Sequence, residues 1–335
     1  MPTRTFLLLC LFVSLPGVVF GQQSACKAVE LPVGVISASG DVFRGLAAED
    51  FVGHTQKKPV SVKALTYDDG PRRVLLVVDT NKKLSEDTRK AEMEMIQALA
   101  ASVRPEDTLA LMVARGPGRH VNFTADRSLI SQAIRQDADG KRGKEAGVLD
   151  TIMTGIEWFG APQAGDAIVV IAADLAAGNR KANAKQVAKA LEEHHIRMFG
   201  LALGPVQTQS IVAEGTMTST ISQGLAYTTP IVGEIVYNTG DEHFFPLTSN
   251  SGGVVLGAMN MDTQHSYSMN DAHLVQGLRQ KTRSLAKMIS AFYRMQIEPP
   301  QNSHSERWSL EVNEEMRKHA QQMWVLYPRE LGPCE

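Results

Sequence analysis

The chain has 335 residues, enough for two average domains or one large one. Apolar residues make up 43% and charged residues 21%, which is ordinary globular usage and excludes a disordered or collagen-like protein. The formal net charge is -2, so overall charge does not favour nucleic acid or an anionic membrane as a partner.

The amino terminus has the pattern of a secretory signal peptide. Arg4 precedes an apolar run over residues 6–20, and the run closes at Gly21. This run is too short for a transmembrane helix, which needs about 20 apolar residues, and no second run of similar apolarity follows. We therefore expect cleavage near Gly21, removal of residues 1–21, and a soluble mature chain without a transmembrane segment, either periplasmic or secreted.

Three cysteines are too few for a disulfide scaffold, and their spacing does not match a zinc site. Loss of the signal peptide removes Cys10 and leaves Cys26 and Cys334 near the two ends of the mature chain. In an oxidising compartment these thiols can pair. Two free thiols fit the sequence equally well, because a disulfide needs Cα atoms within about 7 Å and spacing alone does not show this.

Strand-like segments lie at both ends of the mature chain. Residues 27–66 contain about four short elements with alternating or short apolar runs, including a turn at Gly40-Asp41. Three aromatic or branched segments, AFYRMQI, RWSLEV and QQMWVLY, follow near the carboxyl end. Since the amino-terminal segment is too small to form its own core, we predict one small β domain built from residues 22–70 and 297–335.

Strands and helices alternate over residues 71–296. The apolar runs at 74–79 and 167–174 are typical of parallel strands buried on both faces, and they end in Asp79 and Asp174. Between them the pattern predicts a helix at 85–103, a strand at 109–114 with HVNFTA as its hairpin partner, and helices near 127–136 and 148–159.

Further along, we expect a helix at 184–194, a strand at 197–203, a short strand near HFFPL and a helix at about 274–293. This order predicts an α/β fold with an open, mostly parallel, Rossmann-like sheet and helices on both faces. Ligands of such sheets bind outside the carboxyl ends of the strands, where Asp79 and Asp174 would both lie.

The order of these elements resembles the von Willebrand factor type A domain. The segment GLAAEDF at 45–51 and the strands after Tyr293 extend the resemblance to the bacterial secreted von Willebrand factor A-related family of the acidobacterial type. The resemblance covers almost the whole mature chain. It implies a von Willebrand A-like domain at 71–296 and a protein-binding, adhesion or assembly role.

Domains of this family commonly hold Mg²⁺ at a metal-ion-dependent adhesion site, built from a DxSxS motif, a threonine and a later aspartate. The first motif here reads Asp79-Thr80-Asn81-Lys82-Lys83, the threonine position falls near Ala146, and Asp174 matches the last aspartate. Asn81 can offer a carbonyl oxygen, whereas the ammonium of Lys83 would repel Mg²⁺ and Ala146 has no side-chain oxygen.

The resemblance therefore implies a degenerate adhesion site. We expect no metal and no other cofactor, with Lys82 or Lys83 neutralising the two aspartates in place of the cation. If Mg²⁺ binds after all, the residual candidates for its ligands are Asp79, Asn81 and Asp174.

Basic residues are frequent in the three loops expected around this site. The seven cations are Lys82, Lys83, Lys141, Arg142, Lys144, Arg180 and Lys181, which we call the basic rim. One interpretation is that the basic rim attracts an acidic protein partner. The other is a solvated loop surface, partly neutralised by Asp137, Asp139 and Glu145.

The segment 205–243 is unusually long for a loop, with 39 residues, ten of them Ser or Thr and none Lys or Arg. It is interpreted as an insertion that leaves the carboxyl end of a parallel strand, and it would overhang the basic rim. Alternatively, its pieces SIVAEG and EIVYNTG form a β-hairpin at the edge of the sheet.

Motifs of known catalytic sites are absent from the sequence: there is no G-x-S-x-G, H-E-x-x-H, Walker A or G-x-G-x-x-G pattern. His194-His195 at a helix end fits capping better than catalysis. Asp79 and Asp174 beside lysines should both stay ionised, which suits neither a general acid nor a shared proton.

We expect a non-enzymatic interaction protein. The alternatives are Mg²⁺-dependent adhesion through a residual site, a structural envelope component and, last, an extracytoplasmic enzyme.

Overall fold

The computed structural model describes residues 28–37, 40–55, 58–79, 86–114, 120–138, 147–172, 181–202, 208–211, 217–220, 235–237, 244–257, 269–299, 306–319 and 323–332. In this part of the chain the strands are β1 (Val29–Ser37), β2 (Phe51–Thr55), β3 (Pro59–Asp68), β4 (Arg73–Asp79), β5 (Thr108–Ala114), β6 (His120–Thr124), β7 (Ala167–Ala172), β8 (Arg197–Ala202), β9 (Thr208–Ile211), β10 (Met217–Thr220), β11 (Ile235–Tyr237), β12 (Val255–Gly257), β13 (Phe292–Glu298), β14 (Glu306–Val312), β15 (Met323–Leu326) and β16 (Glu330–Leu331). The helices are α1 (Glu86–Ser102), α2 (Arg127–Ala138), α3 (Val148–Phe159), α4 (Ala184–Glu193), α5 (Phe244–Asn250), α6 (Ala272–Ser290) and α7 (Glu314–His319), with a 3₁₀ helix at Ala48–Asp50.

The first sheet has six strands in the order β6-β5-β4-β7-β8-β12. All neighbours in it are parallel except β5 and β6, which pair antiparallel. Counted from β4 as the first strand, this is the 3-2-1-4-5-6 order of doubly wound sheets. The structure confirms the predicted open, mostly parallel sheet and the hairpin partner of β5.

Strand β4 shows why this sheet is buried on both sides. Successive side chains of a strand point to opposite faces, so an uninterrupted apolar run supplies two cores. Val74, Leu76 and Val78 pack in one core with residues of α1, α2 and α6. Leu75 and Val77 pack in the other core with residues of α3, α4 and α5. The predicted helices on both faces are thereby confirmed.

The second sheet is antiparallel and has the order β15-β1-β13-β3-β2-β14-β16. Its strands come from residues 29–68 and 292–331, so both ends of the described chain build it together, as predicted. Its core includes Val33 and Val35 from the amino-terminal part and Tyr293, Trp308 and Leu310 from the carboxyl-terminal part. Neither part alone could bury these side chains.

Arg197 connects the two sheets at the end of α6. Its side chain is buried, and Nη1 and Nη2 donate to the carbonyl oxygens of Met288 and Ile289 at 3.2 and 2.8 Å. These carbonyls belong to the last turn of α6 and have no partner within the helix. The guanidinium also lies 4.4 Å from the ring centroid of Phe292, the first residue of β13. Burial, and secondarily repulsion from Arg72, lowers the pKa of Arg197 to about 9.

A second buried arginine lies on the same ring. Arg72, just before β4, has its guanidinium 4.6 Å from the centroid of Phe292. Its Nη2 donates to Asp68 Oδ1 at 2.7 Å and its Nε donates to the carbonyl oxygen of Ser290 at 3.3 Å. Together, Arg72 and Arg197 fix where α6 ends and β13 begins.

The predicted short strand near HFFPL is wrong, because this segment begins helix α5. Pro246 lies in the first turn, where the missing N–H is not needed for a helical hydrogen bond. Leu247 is buried in the core that α3 and α4 also cover. Tertiary packing therefore outweighs the strand preference of Phe244 and Phe245. The edge of the sheet is formed instead by β12.

In the described part of the chain, no helix is both long and apolar enough to cross a bilayer.

Lys281 on α6 gives a first testable prediction. Burial lowers the pKa of Lys281 to about 8, whereas the unfolded value is about 10.4. Between these pH values the unfolded chain binds more protons than the native chain, so the free energy of unfolding should rise with pH. We expect the rise to be about 1 kcal/mol smaller in Lys281→Met. Solvent screens the partly exposed ammonium, so this value is lower than the full pKa difference would give. Urea titrations at pH 7 and pH 10 measure it.

The matched control is Lys287→Met on the same helix. Lys287 forms an exposed ion pair with Asp41. Loss of such a pair costs little. If both variants showed the same pH dependence as the natural chain, the depressed pKa of Lys281 would be refuted.

Candidate functional site

The carboxyl edge of the parallel sheet is where the sequence places the functional site. Strands β4, β5 and β7 run in the same direction and end at this edge with Asp79, Ala114 and Ala172. Asp79 lies directly beside Ala114 in the register of the sheet and is only 2% exposed. A carboxylate held out of water needs hydrogen bonds or a positive charge nearby.

Two of the predicted site residues lie in the described part of the chain, Asp79 and Lys181. Asn81, Lys82, Lys83, Lys141, Arg142, Lys144, Asp174 and Arg180 lie outside the described residues, as does Ala146. That Asp79 and Asp174 lie close together therefore stays a prediction, and so does the arrangement of the basic rim around them. Within the described residues, no group of three or more His, Cys, Asp or Glu is arranged to hold a metal ion.

Asp150 positions the segment that carries Lys181, and this role is not predicted by the sequence. It lies in the first turn of α3, and its Oδ2 accepts a hydrogen bond from the Gly147 N–H at 3.2 Å. Its Oδ1 accepts from the backbone N–H groups of Lys181 and Ala182 at 3.1 and 2.6 Å. One carboxylate thus joins the start of α3 to the loop before α4. An acidic residue in a first turn indicates capping from sequence, but the bond to a loop 31 positions away appears only in three dimensions.

The start of α4 is fixed independently. Asn183 Oδ1 accepts from the Gln186 N–H at 2.9 Å, and Gln186 Oε1 accepts from the Asn183 N–H at 3.0 Å. This reciprocal capping box satisfies donors that the first helical turn leaves open. Lys181 precedes it and is exposed. The backbone of this basic-rim residue is therefore held in place while its side chain faces solvent.

The structure places the histidine pair at the end of α4, as predicted. His194 follows the last residue of α4, and its backbone N–H donates to the carbonyl oxygen of Ala190 at 3.1 Å. His195 has φ 52°, which is the only left-handed backbone conformation of a non-glycine residue in the described part of the chain. It lies away from the carboxyl edge, since α4 leads into the start of β8.

The segment 205–243 contains a small antiparallel sheet in the order β10-β9-β11. Ser210 in SIVAEG pairs with Ile235 in EIVYNTG, so these two pieces do pair as strands. The additional strand β10 pairs with the other edge of β9. Because the remaining residues of the segment lie outside the described part, its position relative to the basic rim stays a prediction.

Cys26 and Cys334 lie outside the described residues, but their neighbours give a second prediction. Ala28 lines one cavity and Gly332 lines another, and both cavities share Val29. Gly332 near the carboxyl end thus lies close to the start of β1 near the amino end, so we expect Cys26 and Cys334 to form a disulfide. Intact mass before and after reduction should differ by two hydrogens. The Cys26→Ser variant should have a free energy of unfolding about 2–4 kcal/mol lower than that of the natural chain. Quantitative labelling of two free thiols without reductant would contradict the pairing, and the reduced natural chain is the control.

No family model matches the chain, and no curated protein matches it. Among solved structures, the von Willebrand factor type A from Catenulispora acidiphila is 10% identical, covers 93% of this chain and 74% of its own, and has a TM-score of 0.44. An aerotolerance-related membrane protein from Bacteroides fragilis is 17% identical over 66% of this chain and 98% of its own, with a TM-score of 0.41. BatB from Bacteroides thetaiotaomicron, a conserved hypothetical protein, is 19% identical over 65% of this chain and 98% of its own, with a TM-score of 0.39. The strand order and the succession of elements described above give the chain a von Willebrand A-like fold.

Proposed function

We propose that the chain is a non-enzymatic protein-interaction module that works outside the cytoplasm. In this proposal the partner binds the loops at the carboxyl edge of the parallel sheet, without a bound metal ion. The observation that carries the proposal is the burial of Asp79 at the end of β4. The negative charge of a buried carboxylate must be neutralised by a cation or by hydrogen bonds. The group that neutralises it decides what this edge of the sheet can bind.

Mg²⁺ would compensate Asp79 and also keep a coordination position for a partner's carboxylate. A lysine ammonium compensates the carboxylate but offers no such position. Lys82 and Lys83 follow Asp79 closely in sequence, and the hydroxyls of the family's motif are missing. We infer that lysine takes the place of the metal and that the partner is held by ordinary contacts.

The remaining contacts are then electrostatic. Lys181 is exposed and lies in the loop that Asp150 ties to α3. The other cations of the basic rim belong to loops that leave the same edge in the predicted fold. A concentration of positive charge raises the association rate and selectivity for an acidic protein surface.

Capture of the partner tests the proposal. The purified mature chain is immobilised and exposed to an extracytoplasmic extract at low and high salt. The triple reversal Lys141→Glu, Arg142→Glu, Lys144→Glu should abolish capture at low salt, and the natural chain should lose capture as salt rises. The control reverses three exposed cations outside the basic rim, Lys185, Lys189 and Arg307, and should capture normally. Equal capture by the basic-rim variant and the natural chain would refute the proposed surface.

Calorimetry with Mg²⁺ and Mn²⁺ tests the absence of a metal separately. We expect no saturable heat from the natural chain and none from Asp79→Asn. Saturable binding that disappears in Asp79→Asn would show a working adhesion site, and the Mg²⁺-dependent alternative would replace this proposal.

A further inference from the structure

The parallel sheet with its helices is inserted between two strands of the antiparallel sheet. The chain leaves the antiparallel sheet at the end of β3 and returns to it at the start of β13. We call residues 69–72 the first crossing and residue 291 the second. Asp68 and Phe292, which border the two crossings, are direct neighbours in the register of the antiparallel sheet. A connection through two adjacent strands would by itself let the inserted part swing.

Apolar packing also joins the two sheets. Ile36 of β1 and Leu326 of β15 are buried in the core that β4, β7 and α6 also supply. Hydrophobic attraction is non-directional, so these contacts hold the sheets together without fixing the angle between them. Hydrogen bonds weaken steeply when their angles change. The orientation of the sheets therefore depends on the hydrogen bonds around the crossings.

Arg72 makes such bonds to several segments at once, and its side chain is buried. Nη2 donates to both the carbonyl oxygen and Oδ1 of Asp68 at 2.7 Å. Nη1 donates to the carbonyl oxygen of Ala164, just before β7, at 3.3 Å. Nε donates to the carbonyl oxygen of Ser290, at the end of α6, and the guanidinium lies on the ring of Phe292. One side chain thus joins both crossings to the parallel sheet.

Asp107 and Arg104 hold the backbone of the first crossing. Asp107 is fully buried just before β5, and its Oδ1 accepts from the Arg72 N–H at 2.8 Å. The same carboxylate accepts from Arg104, at 3.3 Å from Nε to Oδ2 and at 2.9 Å from Nη2 to Oδ1. Arg104 in turn donates to the carbonyl oxygens of Asp69 and Gly70. The loop between α1 and β5 therefore binds the first crossing along its length.

The space around Arg72 is closely fitted. Gly165 has φ 87°, and a Cβ added there would lie 2.7 Å from Cδ and from Nη1 of Arg72. The absence of a side chain at Gly165 thus leaves the room that the guanidinium occupies. Packing as well as hydrogen bonding restricts Arg72 to its position.

We propose that Arg72, Arg104 and Asp107 form a crossing lock, which makes the two sheets one rigid unit that unfolds cooperatively. The crossings lie at the amino end of β4, and its carboxyl end lies about 20 Å away. With the crossing lock in place, the loops at the carboxyl edge keep one direction relative to the antiparallel sheet. The crossing lock shares no residue with the basic rim, and it does not depend on the proposed function.

Pulse-labelling hydrogen exchange with mass spectrometry, across a urea titration of the mature chain, gives a separate unfolding midpoint for each sheet. In the natural chain, peptides from β3 and β14 should share their midpoint with peptides from β4 and β7. Arg72→Met keeps apolar bulk but removes the side-chain hydrogen bonds. It should separate the two midpoints by about 1 M urea or more. The antiparallel sheet should unfold first, because fewer buried apolar side chains form its core in the described part of the chain.

The matched control is Arg73→Gln, one position further along the chain. Arg73 pairs with Asp166 and donates to the carbonyl oxygens of Phe159 and Ala161. All three partners lie between the start of α3 and β7, on the parallel-sheet side of the crossings. This variant should lower both midpoints together. A general loss of stability therefore leaves the midpoints coincident, whereas loss of the crossing lock separates them.

Two results would overturn the proposal: different midpoints for the two sheets of the natural chain, or coincident midpoints in Arg72→Met. If Arg72→Met does not fold, Arg104→Gln decides in the same way, since it keeps the Arg72 side chain and removes the bonds to Asp69 and Gly70. The basic-rim triple reversal should show coincident midpoints like the natural chain. Loss of partner capture in that variant tests the proposed function alone.

Discussion

Replacing Gly253 with alanine should lower the free energy of unfolding by about 3 kcal/mol or more. A Cβ added at this position would lie 1.8 Å from the carbonyl oxygen of Met198 and 2.7 Å from its carbonyl carbon. These are backbone atoms of β8, so no side-chain rotation relieves the clash. The residue after Gly253, Val254, accepts a hydrogen bond from the Gly200 N–H of β8 at 3.0 Å. We therefore expect β12 to move away from β8 and the edge of the parallel sheet to open.

Gly277→Ala is the matched control, because the same atom is added where there is room for it. A Cβ at Gly277 would have no atom within 4 Å, and the residue lies inside α6. Glycine inside a helix costs about 0.5–1 kcal/mol relative to alanine, so this variant should be more stable than the natural chain. Urea unfolding of both variants measures the difference. If Gly253→Ala unfolded at the same urea concentration as the natural chain, the close packing of β12 on β8 would be wrong.

The second large effect is expected for Asp166→Asn. Asp166 is 1% exposed and pairs with Arg73 through two bonds, Nε to Oδ1 at 2.8 Å and Nη2 to Oδ2 at 2.5 Å. The same carboxylate accepts from the Gln163 N–H at 3.0 Å. Arg73 begins β4 and Asp166 precedes β7, so the pair joins the two middle strands at their amino ends. Asparagine keeps the shape but leaves the Arg73 guanidinium without its countercharge.

Removing one partner of a buried ion pair typically costs about 3–5 kcal/mol, and we expect a loss of this size. Asp126→Asn is the control, since Asp126 is exposed and its carboxylate accepts hydrogen bonds from Ser128 in its own turn. That variant should lose about 1 kcal/mol or less. The double variant Asp166→Asn, Arg73→Gln should recover part of the loss, because the stranded charge is removed. Additive losses in the double variant would contradict direct coupling between Arg73 and Asp166.

The sequence predicted those elements whose pattern repeats over many residues. β4 and β7 are continuous apolar runs, and both are strands within one or two residues of their predicted limits. The helices α1, α3, α4 and α6 follow from helical spacing of apolar residues in the same way. HFFPL was misread because two aromatic residues indicate a strand, whereas the burial of Leu247 against neighbouring helices depends on distant residues.

The candidate site was less predictable, since its residues act through long-range contacts. Asp79 was identified because an aspartate closing a buried strand is visible in the sequence. The role of Asp150 is not visible in the sequence, because its bonds to Lys181 and Ala182 join the start of α3 to a segment about thirty residues away. Arg197 was missed too: one arginine at the start of an apolar strand gives no sign that it caps α6 and lies on Phe292.

Sequence by itself therefore determined the α/β class, the order of the long strands and helices and the sharing of one β sheet by the two ends of the chain. These follow from local apolar periodicity and from the need of short apolar segments to bury themselves somewhere. Only the tertiary structure decided the hydrogen bonds that tie separate segments together and the positions of the buried arginines between the sheets. Each of these depends on which side chains meet across many residues, and such meetings are set by packing and by the satisfaction of buried charge rather than by any local pattern.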